Sequence, residues 1–192
     1  MIRQTVLPFK LARTEEKITA RSGIALYAEF MKGMKLEELV DRHMPGARSG
    51  RGFRAISYIG PLSMMLYGGG ERIEEVREIR EDHPLREAIQ MEVIPSCSAI
   101  GDWLRRIGDR GGIEGMERVN EGVVKQVLRR EDRKGYTLMS DPTVIEAAKR
   151  EARRTYLGVK GYRPVVASLK ENGLTLAYEF REGNESGEGA RF

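Results

Sequence analysis

Apolar residues recur at helical spacing from Ser22 to about Gly135, and at every second position after it. Ser22 is expected to cap a first helix that carries Ile24, Tyr27, Phe30 and Met31 on one face. Gly33 interrupts this face. Leu36, Leu39 and Val40 continue it to a stop at Met44-Pro45-Gly46, with His43 in the last turn, where a positive tendency suits the helix dipole. A more apolar helix follows, with Phe53, Ile56, Ile59, Leu62, Met65 and Leu66. Pro61 should bend or split it, and Gly68-Gly69-Gly70 should end it. Ile73, Val76 and Ile79 make a narrow stripe on a charged helix, where Glu74, Arg77 and Glu78 can form local ion pairs. Pro84 can open a short helix through Ile89. Ser96 or Ser98 can cap a helix bearing Ile100, Trp103, Leu104 and Ile107. A last long helix carries Ile113, Met116, Val119, Val123, Val124, Val127 and Leu128.

The charged, glycine-ended stretch Arg129–Gly135 reads as a linker. Beyond it, Thr137–Asp141, Pro164–Leu169 and Leu174–Phe180 read as strands, and Asn172-Gly173 is a strong hairpin signal between the last two. Val144–Arg154 has helical composition and fits either a short helix or an ordered excursion. The polar, glycine-rich stretch after Phe180 is expected to be loose. The pattern therefore predicts an α+β chain, with a helical region over 1–134 and a sheet region over 135–192.

Composition narrows the class. An apolar fraction of 40% permits a core, and a net charge of +4 permits nucleic-acid binding without demanding it. The single cysteine, Cys97, rules out an internal disulfide and has no His/Asn constellation beside it. His43 and His83 stand in unrelated contexts and suggest no zinc site. Met1–Thr5 lacks the apolar core of a signal peptide, and no run reaches membrane-spanning length, so a cytoplasmic protein without membrane contact is the expectation.

Three groups of residues carry candidate chemistry. The first is Tyr136–Thr143, a short strand that presents Asp141 beside Thr143. A carboxylate at the end of a buried strand is how several metal-dependent phosphoryl-transfer sites begin. The second is the pair of helices around Leu85–Met91 and Pro95–Ile107. Their succession resembles a helix-turn-helix, with Arg105 and Arg106 as candidate DNA contacts. The third is the set of basic clusters: Lys149, Arg150, Arg153 and Arg154 after the strand, and Arg48, Arg51 and Arg54 around a glycine-rich loop. Of the other local acids, Glu146 is read as paired with neighbouring arginines and Glu179 as facing solvent.

Four elements in order, Ser140-Asp141-Pro142-Thr143-Val144-Ile145-Glu146, Thr155 through Pro164, Glu171-Asn172-Gly173 and Glu179 through Asn184, together resemble DDE transposases of bacterial insertion sequences. The likeness is to the IS-thirteen-eighty branch of the IS-four superfamily, and Gly68-Gly69-Gly70 and the Pro95-Ser96 element extend it into the helical half. The resemblance implies a helical region for DNA binding or assembly, followed by the first three antiparallel strands of an RNase H-like core. It implies a Mg²⁺- or Mn²⁺-dependent Asp-Asp-Glu triad in the intact family, with Asp141 as catalytic and metal-binding residue at the first position. The second Asp and the Glu are expected beyond Phe192, which leaves this chain a fragment without cleavage activity of its own. Insertion-sequence DNA ends, other copies of the chain and intact transposase are the implied partners. A non-catalytic DNA-binding or interaction module that modulates intact transposase is the alternative.

Overall fold

A computed structural model of the chain describes residues 14–47 and 52–185. Among them, seven helices precede six strands: α1 (Ser22–Gly33), α2 (Leu36–His43), α3 (Ile56–Tyr67), α4 (Val76–Glu81), α5 (His83–Ala88), α6 (Cys97–Gly108) and α7 (Gly112–Leu128), then β1 (Leu138–Pro142), β2 (Ile145–Glu146), β3 (Arg153–Arg154), β4 (Lys160–Tyr162), β5 (Val165–Leu169) and β6 (Thr175–Glu179).

The helix boundaries have local causes. Ser22 is not a cap: it is the first residue of α1, with Arg21 before it and no side-chain capping bond. The entry is organised by Thr19, whose hydroxyl accepts from the Arg21 N–H at 3.0 Å and donates to Asp82 Oδ2 at 2.6 Å. Asp82 also caps α5, accepting from the Leu85 N–H at 3.0 Å. Ser96, rather than Ser98, caps α6 through a 3.2 Å bond from the Ala99 N–H. Pro61 does not split α3. The residue before it is Gly60, which has no Cβ for the proline ring to meet, and the buried run Tyr58–Pro61 holds the helix in the core. The expected pairing of Glu74, Arg77 and Glu78 is redistributed: Arg77 reaches Glu81 at 3.9 Å, and Glu78 pairs with Arg21.

The helical core centres on Val40, Val76, Leu85 and Ile100, all fully buried. Burial of each such side chain is worth roughly 1.5–3 kcal/mol. Trp103 stacks on Tyr58 with ring centroids 4.8 Å apart. Helices α2 and α7 approach closely because two α7 positions lack side chains. A Cβ at Gly115 would come within 2.8 Å of the His43 carbonyl oxygen, and one at Gly122 within 2.7 Å of Leu39. Gln126 then donates to the Met34 carbonyl at 2.8 Å, tying α7 to the end of α1. Helix α5 packs on α1 and α4, whereas α6 packs on α7 and the 3₁₀ turn Ile73–Glu75. The pair expected to form a helix-turn-helix thus packs chiefly on other elements.

The strands form two antiparallel sheets, ordered β1-β5-β6 and β2-β4-β3. The three-strand expectation therefore describes the first sheet only. The Val144–Arg154 segment resolves as β2, a turn and β3, so it belongs to a second sheet inserted between β1 and β5 and contains no helix. Strand β5 alternates as the sequence demands, with Val165, Ala167 and Leu169 buried. Asn172-Gly173 turns the chain into β6: Gly173 sits at φ +70°, and its N–H donates to the Leu169 carbonyl at 2.8 Å. Helix α7 meets the first sheet through β6, where Asn120 donates to the Thr175 carbonyl at 2.8 Å.

The stretch after β6 is not loose as far as it is described. Arg181 is buried, Glu182 bridges to Tyr162, and Gly183 lies against the Gly161 and Arg153 carbonyls. No helix among the described residues is long and apolar enough to cross a membrane.

Candidate nucleic-acid interface

The second sheet is small, basic and built on a glycine. Gly161 pairs with both Glu146 on β2 and Arg153 on β3. A Cβ there would overlap the Ile145 carbonyl. One step along, Arg154 stands directly opposite Lys160. Residues opposite each other in an antiparallel pair share a face at short range, and like charges placed so repel. Neither side chain has an ion-pair partner among the described residues. This arrangement is at its most favourable when an anion lies across the pair.

The turn joining β3 to β4 projects Tyr156 and Leu157. Its geometry comes from Thr155 and Gly158: the Gly158 N–H donates to the Thr155 carbonyl at 3.0 Å, and Gly158 adopts φ +81°. The Thr155 N–H and hydroxyl both donate to the Val159 carbonyl, at 2.8 and 3.0 Å. Tyr156 is 69% exposed and Leu157 60%. The guanidinium of Arg163 lies 4.7 Å from the Tyr156 ring centroid, and its Nη1 donates to the Glu185 carbonyl at 3.2 Å.

The basic residues expected from sequence divide between two elements. Lys149 and Arg150 are exposed in the turn before β3, and Arg154 is exposed on it. Arg153 is also exposed, but its Nε pairs with Glu182 at 3.3 Å. Glu146, expected to pair with these arginines, is exposed and makes no ion pair among the described residues. Arg105 and Arg106 lie in the last turn of α6. Arg105 is occupied by Asp102 at 2.6 Å, and Arg106 is exposed. Arg48 and Arg51 lie outside the described residues. Arg54 is tied down by Asp41 and by Glu37, the latter at 2.5 Å, and these hydrogen bonds raise its pKa, so this cation is already engaged by carboxylates.

Asp141 is on β1, but the strand is not buried. Its residues Leu138 through Asp141 are exposed, and β1 is the edge of its sheet. Asp141 pairs with Val166, which pairs with Tyr178, so these three lie in one row on one face. Thr143 supports the strand end through its backbone, its N–H donating to the Pro164 carbonyl at 3.0 Å. Glu179 does not simply face solvent: it accepts from the buried Arg181 at 2.8 Å, which raises the arginine's pKa. A Mg²⁺ or Mn²⁺ ion needs several hard oxygens converging on it. No group of three or more His, Cys, Asp or Glu side chains is placed to hold one among the described residues. Asp141 by itself does not amount to such a site.

Sequence reading did not single out Lys160, Tyr156 and Arg163 as contacts. The signal was present as the alternation Lys160-Gly161-Tyr162 and a glycine at the fourth turn position. Two short strands of two and three residues, however, are too brief for periodicity to register. No protein-family model matches the chain, and no curated protein or solved structure does so either.

Proposed function

We propose that this chain belongs to the DDE transposase lineage of bacterial insertion sequences and acts by binding DNA, without cleaving it alone. The observation that carries the binding is the Arg154–Lys160 pair, two cations without ion-pair partners among the described residues, set opposite each other on an antiparallel ladder. Lys149 and Arg150 in the adjoining turn extend the same positive surface. Phosphates spaced along a nucleic-acid strand satisfy such a surface regardless of sequence.

The lineage rests on the order of the motifs from Ser140 to Asn184, and on a helical bundle that leads into an antiparallel sheet with Asp141 on its first strand. An RNase H-like core begins with such a sheet. In the parent reaction, metal ions would activate the attacking oxygen and stabilise the leaving one during phosphodiester transfer. Asp141 supplies one carboxylate toward that chemistry, and no group of three or more metal-ligating side chains stands among the described residues. The DNA-binding reading is therefore preferred over catalysis for the chain itself.

The deciding experiment is titration of labelled duplex DNA across a salt series. If Lys149, Arg150, Arg154 and Lys160 each neutralise a phosphate, log K falls against log salt with a slope of about −3.6. Arg154→Ala with Lys160→Ala lowers both affinity and slope. A salt-independent affinity, or a double variant that binds as tightly as the parent, rejects the reading. Equal binding to insertion-sequence ends and random duplex keeps the phosphate contacts and removes sequence recognition.

A second reading has its own support. Strand β1 leaves one edge unpaired among the described residues, with Leu138 59% and Met139 43% exposed. Such an edge suits an added strand from an intact transposase. Co-purification with a full-length relative, lost in Met139→Lys, is its test.

A further inference from the structure

We infer that the β3–β4 turn is a base-stacking site, and that the second sheet binds single-stranded DNA in preference to duplex. This inference rests on the DNA-binding reading above and adds the form of nucleic acid that the site takes.

The argument starts from the ring of Tyr156. A tyrosine at a hairpin tip gains little from packing and ordinarily moves freely. Here the Arg163 guanidinium sits 4.7 Å from the ring centroid, so the ring is held by a cation. The Arg163 guanidinium has a partner of its own, Nη1 donating to the Glu185 carbonyl at 3.2 Å, and the Arg163 backbone N–H donates to the Arg181 carbonyl at 2.9 Å. The ring is nonetheless 69% exposed, so it is oriented without being covered. Leu157 beside it is also exposed, at 60%.

The surroundings match one partner. Arg154 and Lys160 lie on the two strands leading to the turn, opposite each other and without ion-pair partners among the described residues. An exposed aromatic face beside a basic track has the chemistry of single-strand binding, in which bases stack on the ring and phosphates follow the cations. In a duplex the base faces are already stacked on one another, and a projecting ring finds none without unstacking a step. An acidic peptide would satisfy the cations but would leave the oriented ring unused. Single-stranded DNA uses both.

The test is binding of the full chain to three fluorescent probes across one common series of salt concentrations. They are an oligothymidylate of about 20 nucleotides, an abasic strand of the same phosphate count, and a duplex of the same length. The expected result is oligothymidylate binding about tenfold tighter than the abasic strand. Tyr156→Ala should remove that difference, whereas Tyr156→Phe should retain it. Equal affinity of the parent chain for oligothymidylate and abasic strand overturns the stacking site, while salt-sensitive binding of both leaves the phosphate reading standing. Binding to none of the three overturns both. The probe comparison needs no variant, so a misfolded Tyr156→Ala cannot obscure the answer.

Discussion

The Nδ2 of Asn172 lies 3.0 and 3.1 Å from the two carboxylate oxygens of Glu131, 41 residues earlier in the chain. The same carboxylate accepts from the Tyr136 hydroxyl at 2.7 Å. A turn residue of the β5–β6 hairpin is thereby clasped to the segment that leaves α7. Glu171 adds a second tie, accepting from the Thr137 N–H at 2.9 and 3.1 Å. The stretch that the sequence marks as a linker is therefore tied to the hairpin through Glu131, one of the charges that make it look solvated.

This clasp should be acid-sensitive. The Tyr136 hydroxyl and then Asn172 hold the Glu131 carboxyl below its usual range, and the Thr137 N–H does the same for Glu171. A carboxyl whose folded pKa is depressed stabilises the fold fully above the unfolded value, about 4.3 for glutamate, and loses that contribution as pH falls through the folded one. Hydrogen-exchange protection at Thr137 and Lys170, corrected for intrinsic rates, is expected to fall across that acid window before protection in α7 does. Glu131→Gln should flatten the response. Uniform loss across the chain would show that the clasp is not a local unit.

The helical half should depend on Ile100 far more than on any residue of the inserted sheet. Ile100 is fully buried on α6, one turn from Trp103 and its stacked partner Tyr58. Ile100→Ala removes three carbons from a packed core and is expected to cost about 2–5 kcal/mol. Trp103 is the only tryptophan, so its fluorescence reports this unfolding directly in a denaturant titration. Leu157→Ala, at an exposed turn, should leave the midpoint unchanged.

Legibility followed the length and regularity of each element. Helix α7 and strands β5 and β6 were readable because their apolar residues repeat over enough positions to outvote noise, and because Asn172-Gly173 has one favoured conformation. Helix caps were less so, since Ser22 and Ser96 look alike in sequence and only the neighbouring Thr19 decides that the first is not a cap. Asp141 was placed correctly on the first strand of its sheet. Its exposure was not readable, because burial depends on which strands lie on either side. The opposition of Arg154 and Lys160 depends on register between strands of two and three residues, and composition alone gives only a basic stretch.

Gly161 provides a way to remove the inserted sheet selectively. A methyl group at this position would meet the Ile145 carbonyl and approach Glu146 Cα at 3.2 Å, both of them backbone and unable to swing aside. Gly161→Ala should break the β2–β4 pairing and with it the register that sets Arg154 opposite Lys160. DNA affinity is expected to fall at least as far as in the Arg154→Ala, Lys160→Ala double variant. Trp103 fluorescence and its denaturation midpoint should stay where they were, because that ring packs in the helical core. Retained DNA binding in Gly161→Ala would place the contact elsewhere, with Arg106 on α6 the next candidate.

Asp141 gives the sharpest separation between the proposed lineage and activity. Phosphodiester transfer on two metal ions needs several oxygen ligands converging on them, whereas Asp141 stands exposed on an edge strand and belongs to no group of three or more metal-ligating side chains among the described residues. The purified chain, supplied with insertion-sequence end DNA and Mg²⁺ or Mn²⁺, is expected to leave the DNA uncut. Asp141→Ala should bind duplex at least as well as the parent, since the substitution removes a negative charge on the strand that leads into the basic sheet. Supplementing the reaction with divalent ions should weaken binding of parent and variant alike, as added cations compete for phosphates. Metal-dependent cleavage by the parent chain that disappears in Asp141→Ala would overturn this separation, because it would require a complete metal site around that carboxylate.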